Sequence, residues 1–454
     1  MGQEIAGLRG SRRVVAIVTL IMSGLMTWAL PASGQDLVWG TVPSPNRSNK
    51  TNTLKAVAAV SATDIWTVGE YNAGLPVTGR RTLAEHWDGT AWTIVPSPNP
   101  KWTGVDLATL GALAAIASND VWAVGYSEDF ASFRLNTLTE HWDGSSWKIV
   151  PSPNPAGLNQ PNQLFGVAAV ASNNVWAVGQ YGVSELPLIV HWDGARWKPV
   201  ANSCGGGLRG VAALSATDIW AVGTGTSCHY DGSSWKAVGI APSGGADILL
   251  GVATISASDV WAVGTSTFCP NEGCYSISYS AHWNGSQWLR FPVPGVTLPG
   301  VLALASDDVW AVGTYSIGTL ILHWDGSAWN TVPGPNPAVG GFLYGITKTG
   351  PADLWAAGSY DTANFVEQTM VLEAPSKTQG TLSGTTHFAG AVVSWLGPQN
   401  GSVTADVSGA YAAAGLPAGA YTVIVTAGGC TPGTANVSIV AGQTTVQDFS
   451  LQCP

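Results

Sequence analysis

The chain has 454 residues, with 22 Trp against 18 Lys and Arg together, 56 Gly, 27 Pro, only 10% charged positions and a formal net charge of −10. So many aromatics with so little charge exclude a disordered chain, so few bases argue against a nucleic-acid partner, and the composition is not that of a helical repeat or coiled coil. Abundant Gly, Pro and Trp fit a large all-β protein with many turns.

Arg9, Arg12 and Arg13 precede an apolar run from Val14 to Leu30, and Pro31-Ala32-Ser33-Gly34-Gln35 follows it. A basic flank, an apolar stretch and small residues are the parts of a secretory signal, so residues 1–34 are expected to be cleaved after Gly34. An uncleaved anchor is the alternative, although the run is short for a membrane span. Either way the rest of the chain is expected to be secreted or at the extracellular surface. Losing Glu4 and the three arginines takes the net charge from −10 to −12.

Self-similarity dominates residues 35–375. Ser61-Ala-Thr-Asp-Ile-Trp-Thr-Val-Gly69 returns as Ser118-Asn-Asp-Val-Trp-Ala-Val-Gly125, again around Trp176, Trp220, Trp261 and Trp310, and in weaker form as Ala352-Asp-Leu-Trp-Ala-Ala-Gly358. The spacing is about 48 residues. Each copy predicts four strands. A run of small apolar residues such as Leu208-Arg-Gly-Val-Ala-Ala-Leu214 comes first, then the Asp-Val-Trp-Ala-Val-Gly run, then a run ending in His-Trp-Asp-Gly, then one from a Trp to Val-Pro-Ser-Pro. Asp-Gly between two such runs is a hairpin signal, and a Pro after the fourth run suits an edge strand. The seventh copy lacks its fourth run, and Trp39 with Val42-Pro43-Ser44-Pro45 supplies the missing piece at the front of the mature chain. The expected fold is all-β: a seven-bladed β-propeller closed by an N-terminal strand, plus a small C-terminal β-sandwich over residues 376–454.

Repetition also disarms much apparent chemistry. Nineteen Trp sit at repeat positions, which points to packing between blades rather than to a set of sugar platforms. His86, His141, His191, His229, His282 and His323 share one position, one per blade, too dispersed for a metal centre and expected to be hydrogen-bonded structural groups. Asp64, Asp120, Asp218, Asp259, Asp308 and Asp353 precede the second-run Trp, and Asp88, Asp143, Asp193, Asp231 and Asp325 occupy the Asp-Gly turn; all eleven are read as turn formers. Cys204, Cys228, Cys269, Cys274, Cys430 and Cys453 are an even set in a chain expected to be exported, so disulfides are predicted, nearest-neighbour pairing giving 204–228, 269–274 and 430–453. No metal and no cofactor is expected.

The connections between second and third runs, and from one repeat to the next, vary in length and fall on one face of a propeller, where scaffolded loops bind ligands. On that face Trp102 matches no repeat Trp, and Tyr71, Tyr181, Tyr315 and Tyr360 each stand two residues after the Gly that ends the second run. These five are the candidate ligand-binding residues. No nucleophile elbow, zinc helix, P-loop or dinucleotide fingerprint occurs. Glu70, Asp106, Glu128, Asp129, Glu185, Asp247 and Asp361 are acids outside the repeat that a glycosidase would have to pair.

After residue 375 the repeat stops. Gly409-x-Tyr411 with Gly415-Leu416-Pro417-x-Gly419-x-Tyr421-x-Val423 resembles carboxypeptidase regulatory-like (transthyretin-like) domains, which implies a small β-sandwich with no catalytic residues. The repeats resemble arrays in secreted bacterial proteins and are similar in style to tectonin-like and Asp-box propellers, although Asp88 and Gly89 are adjacent here, where an Asp-box separates them. Only architecture carries over. The expectation is a monomeric binding protein for an extracellular glycan or surface protein, with no nucleic-acid partner and no membrane contact beyond an uncleaved anchor. An exported glycoside hydrolase or polysaccharide lyase, or a structural spacer, are the alternatives.

Overall fold

The computed structural model describes residues 37–453 apart from 75–78, 101–105, 130–133, 158–159, 271–272, 316–317, 338, 351–352, 375–378, 399, 418 and 441–442. The expected signal segment, 1–34, and Trp102 lie outside the described residues. The described residues form strands and no helix.

Most of the chain is four-stranded antiparallel units in chain order. Asn162–Ala171, Asn174–Tyr181, Leu186–Trp192 and Trp197–Pro199 make one. Sheets starting at Leu208–Ser215, Ala246–Ser256 and Thr297–Ala305 repeat the order. Two further units, starting at Asn52–Ser61 and Asp106–Ala117, merge into an eight-stranded sheet through one parallel pairing, Arg80 with Leu107. In the last unit Gly341–Gly350, Asp353–Asp361 and Glu367–Ala374 take Gly40–Val42 as their outer strand, Gly40 opposite Glu373 and Val42 opposite Val371. The strand missing from the end of the array is therefore the one supplied by its beginning. The first strands touch in sequence, and Gly341–Gly350 returns to Asn52–Ser61. The architecture is all-β and propeller-like.

The turns follow the sequence. Asp88 accepts the N–H groups of Thr90 (2.8 Å) and Ala91 (2.9 Å), and Gly89 takes φ 95°. These bonds, with one from the Thr90 hydroxyl, hold the Asp88 carboxyl below its usual range. The acids before the second-run Trp behave differently from expectation. His86 Nε2 lies 2.9 Å from Asp64, His141 2.8 Å from Asp120 and His282 2.8 Å from Asp259, and Asn174 takes the same part for His191 at 2.9 Å. Antiparallel register sets Trp66 opposite His86, so an Asp two residues before the Trp shares its face and meets the His diagonally. Asp64, Asp120, Asp218, Asp259 and Asp308 thus tie second to third strand, whereas Asp353 faces no His and accepts from Thr349 beside the turn.

The units join through indoles. Trp66 packs on Trp142 and Trp147 of the next unit at 4.8 and 5.4 Å, Trp122 on Trp192 and Trp197 at 4.8 and 5.3 Å, and Trp355 of the last unit on Trp87 and Trp92 of the first at 5.3 and 6.0 Å. Trp39 of the N-terminal strand receives Trp310 at 6.2 Å. Such pairs add about 0.5–1.5 kcal/mol each beyond their buried area.

Every first strand carries a β-bulge. Leu54 opposes Gly69 and Ala56 opposes Val68, so Lys55 has no partner. The bulge presses the Thr53 carbonyl onto Gly69, where a Cβ would lie 1.9 Å from the oxygen; at Gly223 the same atom would lie 2.0 Å from the Gly207 oxygen. Gly125, Gly179, Gly264, Gly313 and Gly358 stand in the same contact. The Gly ending each second run is therefore a demand of the opposing strand.

The C-terminal module has two sheets. Gln379–Thr385 lies between Ala410–Pro417 and Thr444–Val446, and Gly401–Thr404, Val392–Leu396, Gly419–Thr426 and Gly433–Ile439 form the other. Trp395, Tyr411, Tyr421 and Val423 share one core. Cys204–Cys228, Cys269–Cys274 and Cys430–Cys453 are disulfides, the pairing expected from neighbour spacing.

Two predictions follow from this packing. Gly223→Ala is expected to destabilise the chain by about 1–3 kcal/mol, as overpacking against a fixed carbonyl, whereas Gly239→Ala, with open space around its Cβ position, leaves the melting temperature unchanged; equal melting temperatures for the two variants would refute the bulge contact. The second concerns Glu140 and Glu85, both fully buried one residue before the repeat His, where other units carry Val190, Ala281 or Leu322. Glu85 has no hydrogen-bond partner among the described residues, and Glu140 accepts one bond, from Ser97 Oγ at 2.7 Å. Burial pushes Glu140 up to about 8 and Glu85 well above its usual value. The native state thus holds protons that the unfolded chain has released, and stability falls as pH rises from about 4.5 to about 8. Glu140→Gln is expected to remove part of that slope, on the order of 5 kcal/mol at full ionisation; an unchanged slope in denaturant titrations at pH 5 and pH 8 would contradict it.

Candidate functional site

The first strands enclose a cavity of about 440 Å³. Its wall is tiered by the strand geometry. Val57, Leu113, Val167, Val211, Val252, Val301 and Ile346 form one tier. The next is small, Ala or Gly, because the inner strands crowd there: a Cβ on Gly251 would lie 2.7 Å from the Pro299 carbonyl oxygen. The bulged residues form the third tier, and they are Lys55, Gly111, Phe165, Arg209, Leu250, Pro299 and Tyr344. Here one position holds a different residue in every unit.

A polar rim adjoins that tier at the end where the variable connections lie, since the starts of first and third strands and the ends of second strands meet there. Lys55 Nζ is 3.1 Å from Glu70 Oε2 and donates to Thr109 Oγ1 at 3.0 Å, while Arg80 Nη1 donates to Glu70 Oε1 at 2.6 Å. Glu367 accepts from Thr53 Oγ1 (3.1 Å) and Ser359 Oγ (2.8 Å). Burial, then the Glu367 charge, pushes the Tyr344 phenol up to about 12, so it stays a neutral donor. Arg209 lies 4.2 Å over the Phe165 ring, and Tyr126 meets that ring edge-on at 6.2 Å. Burial raises the Tyr126 phenol and lowers the Arg209 guanidinium.

The candidate tyrosines occupy the same end but separate surroundings. Tyr71, Tyr181 and Tyr360 are half-buried against three different cores, those of Trp92, Trp197 and Trp39. Tyr360 also lines a second cavity, of about 520 Å³, with Pro43, Ser44, Asn336 and Pro337. Tyr315 is exposed, at 58%. Of the acids outside the repeat, Glu70 is held between two cations, and Asp247 accepts two bonds from Arg290 (2.8 and 3.1 Å) and others from Ser243 and Ser266, which keep it near 2. Among the described residues no group of three His, Cys, Asp or Glu is placed to hold a metal ion.

Lys55, Phe165, Arg209 and Tyr344 escape a reading of the sequence that takes the first run as small and apolar. Their signal was available in the residue after the first Leu of each run, which changes from copy to copy while its neighbours do not.

Residues 379–452 match the carboxypeptidase regulatory-like domain family. No curated protein matches the chain. Among solved structures, the chain is similar to that of U3-55K (10% identity, 74% of this chain and 98% of that one, TM-score 0.47) and to the RRP9 WD40 repeats (11%, 74% and 97%, TM-score 0.48). It is also similar to a protein of unknown function from Dyadobacter fermentans (12%, 74% and 99%, TM-score 0.42).

Proposed function

We propose that the chain is a secreted binding protein: a seven-bladed propeller that takes an extracellular ligand, a glycan or an exposed part of a surface protein, at the channel mouth on its variable-loop face. The observation that carries this reading is the bulged tier. Packing positions recur from blade to blade, the second-strand Trp in all seven and the His in six, whereas the residue delivered into the channel is Lys, Gly, Phe, Arg, Leu, Pro or Tyr in turn. A scaffold built on sameness with one inward position left to differ is what a binding site needs. Exposed Tyr315 would extend the surface around the mouth, whereas Tyr71, Tyr181 and Tyr360 are half-buried against separate cores.

Three supports bear on compartment and chemistry. Three disulfides suit an oxidising environment, and among the described residues no helix is long and apolar enough to cross a membrane. Glu70 and Asp247, two of the acids a glycosidase would need, are neutralised by adjacent cations, which favours binding over hydrolysis.

Leu250 faces the channel and is half-buried. Leu250→Trp is expected to fill the mouth, to leave the melting temperature within a few degrees of the parent, and to abolish retention on a glycan and cell-wall array. Retention equal to that of the parent would place the binding surface elsewhere and overturn the reading.

A further inference from the structure

The inference that follows rests on the binding role of the channel and concerns the chemistry of its occupant. The cations at the mouth are not equivalent. Lys55 and Arg80 share Glu70, with contacts of 3.1 and 2.6 Å. Arg209 has no carboxylate at ion-pair distance among the described residues; its contact is the face of Phe165, 4.2 Å away. Glu185 acts on it only through space, and half-burial disfavours its charge. A desolvated cation without a counter-charge is costly, and this chain has acids in excess, with a net charge of −10. The fold nonetheless leaves this guanidinium bare inside a cavity.

The Phe165 ring sits 4.2 Å from the guanidinium carbon and takes none of its N–H groups. A rigid fork of parallel donors matches a planar carboxylate. The inner strands do not suit an added peptide strand, because a bulge interrupts each of them and breaks the ladder that strand addition would extend. The channel instead offers an aromatic ring at Tyr344, apolar surface at Leu250, and hydroxyl and ammonium donors at Tyr344 and Lys55. That combination suits a sugar ring with its hydroxyls.

We propose that the channel binds an acidic sugar residue of an extracellular glycan, with the sugar carboxylate paired to Arg209 and the ring held between Leu250 and Tyr344.

The test is calorimetric titration of the full mature chain with trigalacturonic acid and with its methyl ester, at ~20 mM salt where charge pairing is little screened. Binding of the acid, at least about tenfold weaker binding of the ester, and a comparable loss of acid binding in Arg209→Gln are expected, since an ionic hydrogen bond carries that much. Arg209→Lys should recover only part of it, because the ammonium keeps the charge and loses the fork. Melting temperatures of both variants within a few degrees of the parent establish that the loss is not unfolding. Equal affinity for acid and ester, an Arg209→Gln variant as tight as the parent, or no binding of either probe would overturn the proposal. Neutral glycans that bind the parent and Arg209→Gln alike but fail on Leu250→Trp would overturn it while leaving the channel as the site; array retention unaffected by Leu250→Trp would overturn both.

Discussion

A carbonyl oxygen pressed against a glycine organises the inner edge of this molecule. In each repeat unit the first strand bulges by one residue, and its displaced carbonyl occupies the space a side chain would need on the second strand, as between Thr53 and Gly69. The consequence reaches the channel. A regular strand alternates its side chains between faces; each first strand breaks that alternation twice, near the turn and at this bulge, and the break at the bulge leaves one unpaired residue per unit lining the cavity. Glycine at the end of Asp-Val-Trp-Ala-Val-Gly is thus the condition for the variable tier.

The outer body answers a different need. Twisted sheets set side by side leave wedge-shaped gaps, and the indoles fill them, with Trp66 against Trp142 and Trp147 as the type. Behind five of these Trp an Asp–His bond, and behind Trp176 an Asn–His bond, fixes the imidazole on which the indole lies, 4.4 Å away for Trp66 and His86. The last gap closes between Trp355 and Trp87, and the N-terminal strand completes the last sheet, so both ends of the array are held by the same joints as its middle. Lys55, Phe165, Arg209, Leu250 and Tyr344 stand outside these indole-centred cores.

Much of this was legible in the sequence. Trp spacing and the Trp39-to-Pro45 segment carried the strand count and the N-terminal strand, and neighbour spacing carried the disulfides. The Asp–His pairs were hidden because their members lie about twenty residues apart and meet only through strand register; Asp before a Trp looked like another turn former. The channel tier was hidden for the opposite reason. Lys55 and Arg209 appear as accidents in an apolar run when one repeat is read alone, and a bulge that changes which way they face has no composition of its own. Its one trace in the sequence is the Gly that closes each second run, present in all seven copies.

On the proposed binding role, folding and ligand binding would fall to different residues of the same strands. That division is tested most directly by replacing Lys55, Phe165, Arg209, Leu250 and Tyr344 together with alanine and measuring thermal unfolding alongside retention on a glycan and cell-wall array. The account predicts cooperative unfolding within a few degrees of the parent and no retention. A collapse of the unfolding transition would make these residues part of the core, and retention equal to the parent would remove the channel from the binding surface; either result contradicts it.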